Sequence, residues 1–179
     1  MEHQDHVALL RPGIPALGGM WADLGAGTGA FTLALADIIG PTGKITAVDK
    51  DGRALRHLAD TFSARFPQVT LTTITADFTR PLALPPLDGV VMANSLHFVR
   101  HKAPVLALVR DYLRPDGRLL IVEYNTDRGN HWVPHPFSYS TWEHLAQQAG
   151  FSRTQRLHAR PSRFLGEIYS AASWNSPSG

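Results

Sequence analysis

An α/β domain, with a mostly parallel sheet covered by helices on both faces, is what this sequence predicts, and three observations carry the prediction. Short apolar runs alternate with segments of helical spacing from residue 20 to residue 124. The runs are apolar nearly throughout, as strands buried on both faces must be. Glycine and proline clusters punctuate the joins, at Gly25–Gly29, at Gly40-Pro41 and at Pro115-Asp116-Gly117.

The first strand is Met20–Leu24, closed by the glycine cluster. Phe31, Leu35 and Ile38-Ile39 set a helix from Ala30 that stops at Gly40-Pro41. Lys44–Asp49 is the second strand, and Leu55, Leu58, Phe62 and Phe66 mark a helix ended by Pro67. Val69–Ala76, rich in threonine and β-branched residues, is the third strand. An irregular link holding Pro81, Pro85 and Pro86 leads to the fourth, Leu87–Ala93. Val105, Leu108, Val109 and Leu113 form the next helix, and Arg118–Tyr124 is the fifth strand. After a polar loop, Ser140-Thr141 offers a cap for a helix through Ala149, with Gly150 as its stop. Ser152–Ala159 and Phe164–Ala172 complete seven strands. Their four-residue link favours an antiparallel pair, since a parallel crossover needs about a dozen residues.

The 179 residues, 44% of them hydrophobic, suit one domain over 1–179, with a core at 20–173, a short N-terminal segment 1–19 and a loose tail 174–179. No stretch approaches the roughly 20 apolar residues of a spanning helix, and Met1–His6 lacks a secretory pattern. A cytoplasmic protein without a membrane partner is expected. With no cysteine, disulfides, thiolate metal sites and cysteine nucleophiles are excluded. A net charge of +2 makes no case for nucleic acid. Arg153, Arg156, Arg160 and Arg163 read as a solvated strand face.

Chemistry concentrates in Asp23-Leu24-Gly25-Ala26-Gly27-Thr28-Gly29, between the first strand and the first helix. Glycines let backbone turn sharply and approach a ligand, and the helix start offers free N–H groups to a carboxylate or phosphate. Asp49, ending the next strand, is placed to accept hydrogen bonds from ribose hydroxyls. Together these residues point to an adenosine-type cofactor. The dinucleotide fingerprint is G-x-G-x-x-G; here the third glycine falls one residue early.

That G-x-G-x-G turn resembles the first motif of class I S-adenosylmethionine-dependent methyltransferases, and four further segments are similar to the family's other motifs in the family's order. They are Ile45–Lys50, Thr75–Phe78, Asp88–His97 and Leu113–Val122, the last departing from the common L-x-P-G-G turn at Asp116. The resemblance covers about residues 20–125 and the terminal hairpin. It implies a Rossmann-like three-layer sandwich with S-adenosyl-L-methionine as cofactor. Asp23 and Gly25, Ala26, Gly27, Thr28 and Gly29 would hold the methionine end, Asp49 the ribose, Lys50, Asp77 and Phe78 the adenine, and Asn94, Ser95 and His97 the region of the sulfonium.

Acceptor candidates lie where the fourth and fifth strands end: His97, Glu123, Tyr124, Asn125, His131, Trp132, His135 and Phe137. His97 reads equally well as a histidine bonded to backbone, and Trp132 and Phe137 as anchors of the 125–139 loop. His131 and His135 lack helical spacing and a nearby carboxylate, so no metal is expected. No residue is singled out as catalytic, because a base is needed only where the acceptor must lose a proton. The short segment before the first strand implies an open acceptor site, or one closed by the 125–139 loop or by a partner chain, possibilities that include a homodimer. The expected activity is in-line methyl transfer to a small molecule at O, N or C, while the lack of cysteine argues against arsenic. An NAD(P)-dependent oxidoreductase and a non-catalytic cofactor-binding scaffold are the alternatives.

Overall fold

A computed structural model describes residues 1–177. The elements run α1 (His3–Leu10), β1 (Met20–Leu24), α2 (Ala30–Ile39), β2 (Lys44–Asp49), α3 (Gly52–Arg65), β3 (Thr70–Thr75), β4 (Leu87–Ala93), α4 (Ala103–Tyr112), β5 (Leu113–Tyr124), α5 (Tyr139–Gln148), β6 (Arg153–Ser162) and β7 (Gly166–Trp174). One seven-stranded sheet results, in the order β3-β2-β1-β4-β5-β7-β6. The first five strands run parallel to one another, and β7 runs antiparallel to both β5 and β6.

Two apolar cores sandwich the sheet. Phe31, Leu35, Ile39, Leu58 and Phe62 fill one with α1, α2 and α3, whereas Val105, Val109, Phe137, Trp142 and Tyr169 fill the other with α4 and α5. Strand order reverses between β1 and β4, and open α/β sheets place ligands beyond the strand ends at such a switch.

Four local outcomes differ from the sequence reading. Residues 1–19 contain α1, whose Val7, Leu9 and Leu10 are buried. Strand β5 begins at Leu113, before the Pro115-Asp116-Gly117 turn, because Leu87 and Leu113 already pair there. The cap of α5 is Ser138, whose hydroxyl accepts from the Thr141 N–H, so the helix opens before Ser140. The tail expected to be loose from 174 begins held: Trp174 ends β7, the Asn175 N–H donates to the Gly117 carbonyl, and the Asn175 side-chain amide donates to the Leu113 carbonyl. Residues 178–179 lie outside the described residues.

The Asp116 departure is explained by backbone conformation. Its φ is +61°, the left-handed region that glycine adopts freely and other residues adopt at about 1–2 kcal/mol. Beside it a Cβ on Gly117 would lie 2.8 Å from the Arg114 carbonyl oxygen. The second glycine of the common pattern is therefore kept by contact. The first gives way to aspartate at a modest cost.

Three of the four late arginines have partners. Arg153 stacks over the Trp174 ring at 3.8 Å, Arg156 pairs with Glu167 at 2.5 Å, and Arg160 pairs with Asp5 of α1.

Candidate functional site

The loop after β1 is tied down by backbone bonds from Gly25 and Ala26 to the Val48 carbonyl, at 2.8 and 3.0 Å. Its three glycines, all at positive φ, serve different ends. A Cβ on Gly25 would lie 2.5 Å from that of Ser95, and one on Gly29 would lie 2.0 Å from Leu58 Cδ1, so both are closed by packing. Gly27 has nothing within 4 Å. Space is kept there.

Gly29 also starts α2 without any side-chain cap. The first-turn N–H groups of that helix thus remain available to an anion.

Two depressions meet over this loop. One of about 450 Å³ is lined by Asp49, Lys50, Asp77, Phe78 and Phe98, and one of about 290 Å³ by Asp23, the Gly25–Phe31 stretch, His6 and Met1; Gly25 and Asn94 border both. The result is a single trough across the ends of β1, β2 and β4.

At one end Asp23 is fully buried, with Oδ2 accepting from the Thr32 hydroxyl at 2.6 Å. Burial pushes its carboxyl up to about 7; the Thr32 bond opposes the rise and the Asp49 charge adds to it. At the other end Asp49 accepts from the Gly27 and Asp51 N–H groups, both at 2.8 Å, so it anchors the loop as well as facing the trough. Asp77 Oδ1 accepts from the backbone and hydroxyl of Thr79, which hold its carboxyl below the usual range. Ser95 is buried and donates to the Leu24 carbonyl at 2.8 Å. Asn94, at φ +51°, has a buried Oδ1 with no hydrogen-bond partner. An orphaned buried acceptor costs about 1–3 kcal/mol, so a ligand N–H there is favoured.

His97 lies outside the trough lining and is buried, and its ring is partnered by a side chain rather than by backbone. Its Nδ1 is 2.7 Å from Glu123 Oε2, and its backbone N–H donates to Oε1 at 3.2 Å. Burial raises the Glu123 carboxyl, against the pull of His97. The pair sits beyond the end of β4, beside Phe98, whose ring centroid is 4.4 Å from that of His97.

The 125–139 loop is anchored by Val133 and Phe137, both buried, and by the His135 N–H, which donates to the His97 carbonyl at 3.0 Å. Trp132 is 70% exposed, so it does not anchor the loop as expected. His131 packs only edge-on against Trp132, and no group of three or more metal-ligating side chains occurs among the described residues. Tyr124 stacks edge-on with Phe164, and the Asn125 amide donates to Glu167 while its carbonyl accepts from Tyr139.

Met1, His6, Thr79 and Phe98 escaped sequence reasoning. Only Phe98, an aromatic next to a singled-out histidine, carried a signal that could have found it.

Comparison with known proteins places this architecture in a class. Residues 22–119, more than half of the chain, match the family described as "Methyltransferase domain". The chain belongs to the class I S-adenosylmethionine-dependent methyltransferases. Among curated relatives it is 31% identical over 117 residues to the ubiquinone/menaquinone biosynthesis C-methyltransferase UbiE of Ectopseudomonas mendocina, covering 65% of this chain and 44% of that protein. The chain thus spans less than half the length of that relative. Similar solved structures are the YcgJ protein of Bacillus subtilis (TM-score 0.77, 12% identity, 98% of this chain and 100% of that one) and the magnesium protoporphyrin IX methyltransferase of Synechocystis with bound cofactor (TM-score 0.71, 16% identity, 97% and 78%). At these identities the structures speak for the fold. No helix among the described residues is long and apolar enough to cross a membrane.

Proposed function

We propose that this chain transfers a methyl group to a small-molecule acceptor seated over the ends of β4 and β5, with His97 taking the acceptor's proton. The observation that carries the reading is the trough itself: an open glycine at its centre, an unpartnered amide oxygen on Asn94 beside it, and carboxyl groups at both ends. These features fit S-adenosylmethionine. Asp23 and Asn94 would receive its ammonium, the uncapped start of α2 its carboxylate, Asp49 its ribose, and Lys50, Asp77 and Phe78 its base. When bound, the cofactor supplies a methyl group already activated by its attachment to a sulfonium sulfur.

The chain's remaining task is alignment and proton removal. Glu123 accepts from His97 Nδ1–H, a bond that leaves the Nε2 lone pair to receive a proton from an acceptor hydroxyl, amine or acidic carbon. Positioning of this kind lowers barriers by about 7–11 kcal/mol. The C-methyltransferase relatives make carbon the first acceptor atom to test.

Calorimetric titration with S-adenosylhomocysteine, alongside NADH, is the decisive experiment. Micromolar binding of the first alone, abolished in Gly27→Val, is expected. Millimolar or absent binding would sink the reading, and tight binding without any 14-dalton gain in a metabolite extract would favour the scaffold alternative. Asp49→Ala is expected to weaken binding by about 1–3 kcal/mol, the scale of hydrogen bonds to a charged group. Asp49→Asn, which can still accept from the Gly27 N–H, should lose less in the same titration.

A further inference from the structure

We propose that Lys102 is a positioning residue for transfer: its ammonium group fastens the 125–139 loop to the end of β4 and keeps Glu123 the carboxylate that orients His97. The inference rests on the reading of His97 as the proton acceptor.

Lys102 begins α4 and is only 8% exposed. A buried ammonium is costly unless compensated. Here Nζ donates to the carbonyls of Val99 (2.8 Å) and His135 (3.0 Å) and lies 4.9 Å from the Phe137 ring centroid. None of the ion pairs among the described residues includes it. Nothing here is a carboxylate partner of the ordinary surface kind.

The two carbonyls explain the first task. Val99 follows the His97 segment, and His135 belongs to the loop. Because the His135 N–H donates to the His97 carbonyl, the loop backbone is gripped on both sides of one residue by the segment that carries the base. Trp132 and His131, three and four residues earlier, project from the loop so held.

The charge explains the second. Glu123 is wholly buried, which favours its neutral form; His97 and, more distantly, Lys102 favour the anion. Titratable side chains near the cluster include the phenols of Tyr169 on β7 and Tyr124 on β5, with Asp127 acting on Tyr169 from the loop, and the imidazole of His135. Lys102 is the cation of the cluster; burial pulls its own pKa down and the Glu123 charge holds it up. With Glu123 ionised and His97 neutral, the buried group carries no net charge. A protonated Glu123 would reverse the hydrogen bond: its O–H would donate to Nδ1, the imidazole proton would move to Nε2, and the lone pair needed for the acceptor would be lost.

The chain has four glutamates, Glu2, Glu123, Glu143 and Glu167, so side-chain carboxyl carbons can be followed by NMR and Glu123 assigned from the Glu123→Gln spectrum. In Lys102→Met, Glu123 is expected to protonate at a higher pH than in the wild type. Amides of residues 131–135 should exchange faster with solvent. Lys102→Gln keeps a neutral donor and should show the same carboxyl shift with a smaller rise in exchange, and Lys102→Arg should restore the wild-type titration. Calorimetry with S-adenosylhomocysteine checks folding, since Lys102 is not in the trough lining. A Glu123 titration in both neutral variants within a few tenths of a unit of wild type overturns the proposal. Nitrogen-15 spectra of the wild type separate the two readings: a proton on His97 Nε2 would remove His97 as the base, while the Glu123 shift would still stand or fall by itself.

Discussion

Replacing Asp23 by asparagine is expected to strengthen the fold and weaken the cofactor complex. The native carboxyl is raised from 3.8 to about 7 by burial. A group raised on folding contributes stability that is whole below its unfolded value and is lost as pH climbs through the folded one. Wild-type stability should therefore fall between about pH 4 and pH 7 and stay low above, by up to about 4 kcal/mol for this one group at 1.36 kcal/mol per unit. Asparagine can still accept from the Thr32 hydroxyl and has no proton to lose. Urea denaturation should show a stability advantage of Asp23→Asn that widens by about 2–3 kcal/mol from pH 5 to pH 8. Binding should move oppositely. An ammonium above Asp23 favours the ionised form, so wild-type affinity for S-adenosylhomocysteine should rise severalfold from about pH 6 to pH 7.5 and the variant's should stay flat. A pH-independent wild-type affinity would show that the ligand's amine does not meet this carboxyl.

Glu123→Ala should be the most damaging single change at the acceptor end. It removes a fully buried partner of His97, deprives the His97 N–H of its acceptor and opens a cavity between β5 and the 3-10 turn at Leu96–Phe98. Losing a hydrogen bond to a charged group costs about 1.5–3 kcal/mol, and the cavity left behind adds to that. Denaturation of the single variants and of the pair should reveal coupling: His97→Ala with Glu123→Ala should destabilise by less than the two singles combined. Strict additivity would mean that the two side chains do not act together. Cofactor affinity should change little in Glu123→Gln, which keeps the shape of the site.

The cofactor half was legible because its signals are local. Strand, glycine turn, helix and acid lie within residues 20–49, and each constrains the next. The acceptor half depends on contacts between distant residues. His97 and Glu123 were both visible at strand ends, but nothing in the sequence pairs residues 26 apart across neighbouring strands. Trp132 illustrates the same limit, since hydrophobicity alone cannot tell an anchor from an exposed ring when Val133 beside it takes the buried position. Helix α1 was missed because its eight residues open on His3, Gln4, Asp5 and His6 and show no clear apolar stripe, and burial against α2 rather than periodicity holds it.

The position of β7 between β5 and β6 bears on how the molecule is assembled. The β6–β7 hairpin covers the edge that β5 would otherwise leave free. From there the Tyr169 hydroxyl reaches the Phe137 carbonyl, and the flank of Glu123 is covered. Without that hairpin, β5 would present an unpaired apolar border to any other strand nearby, and an edge of that kind invites misassociation.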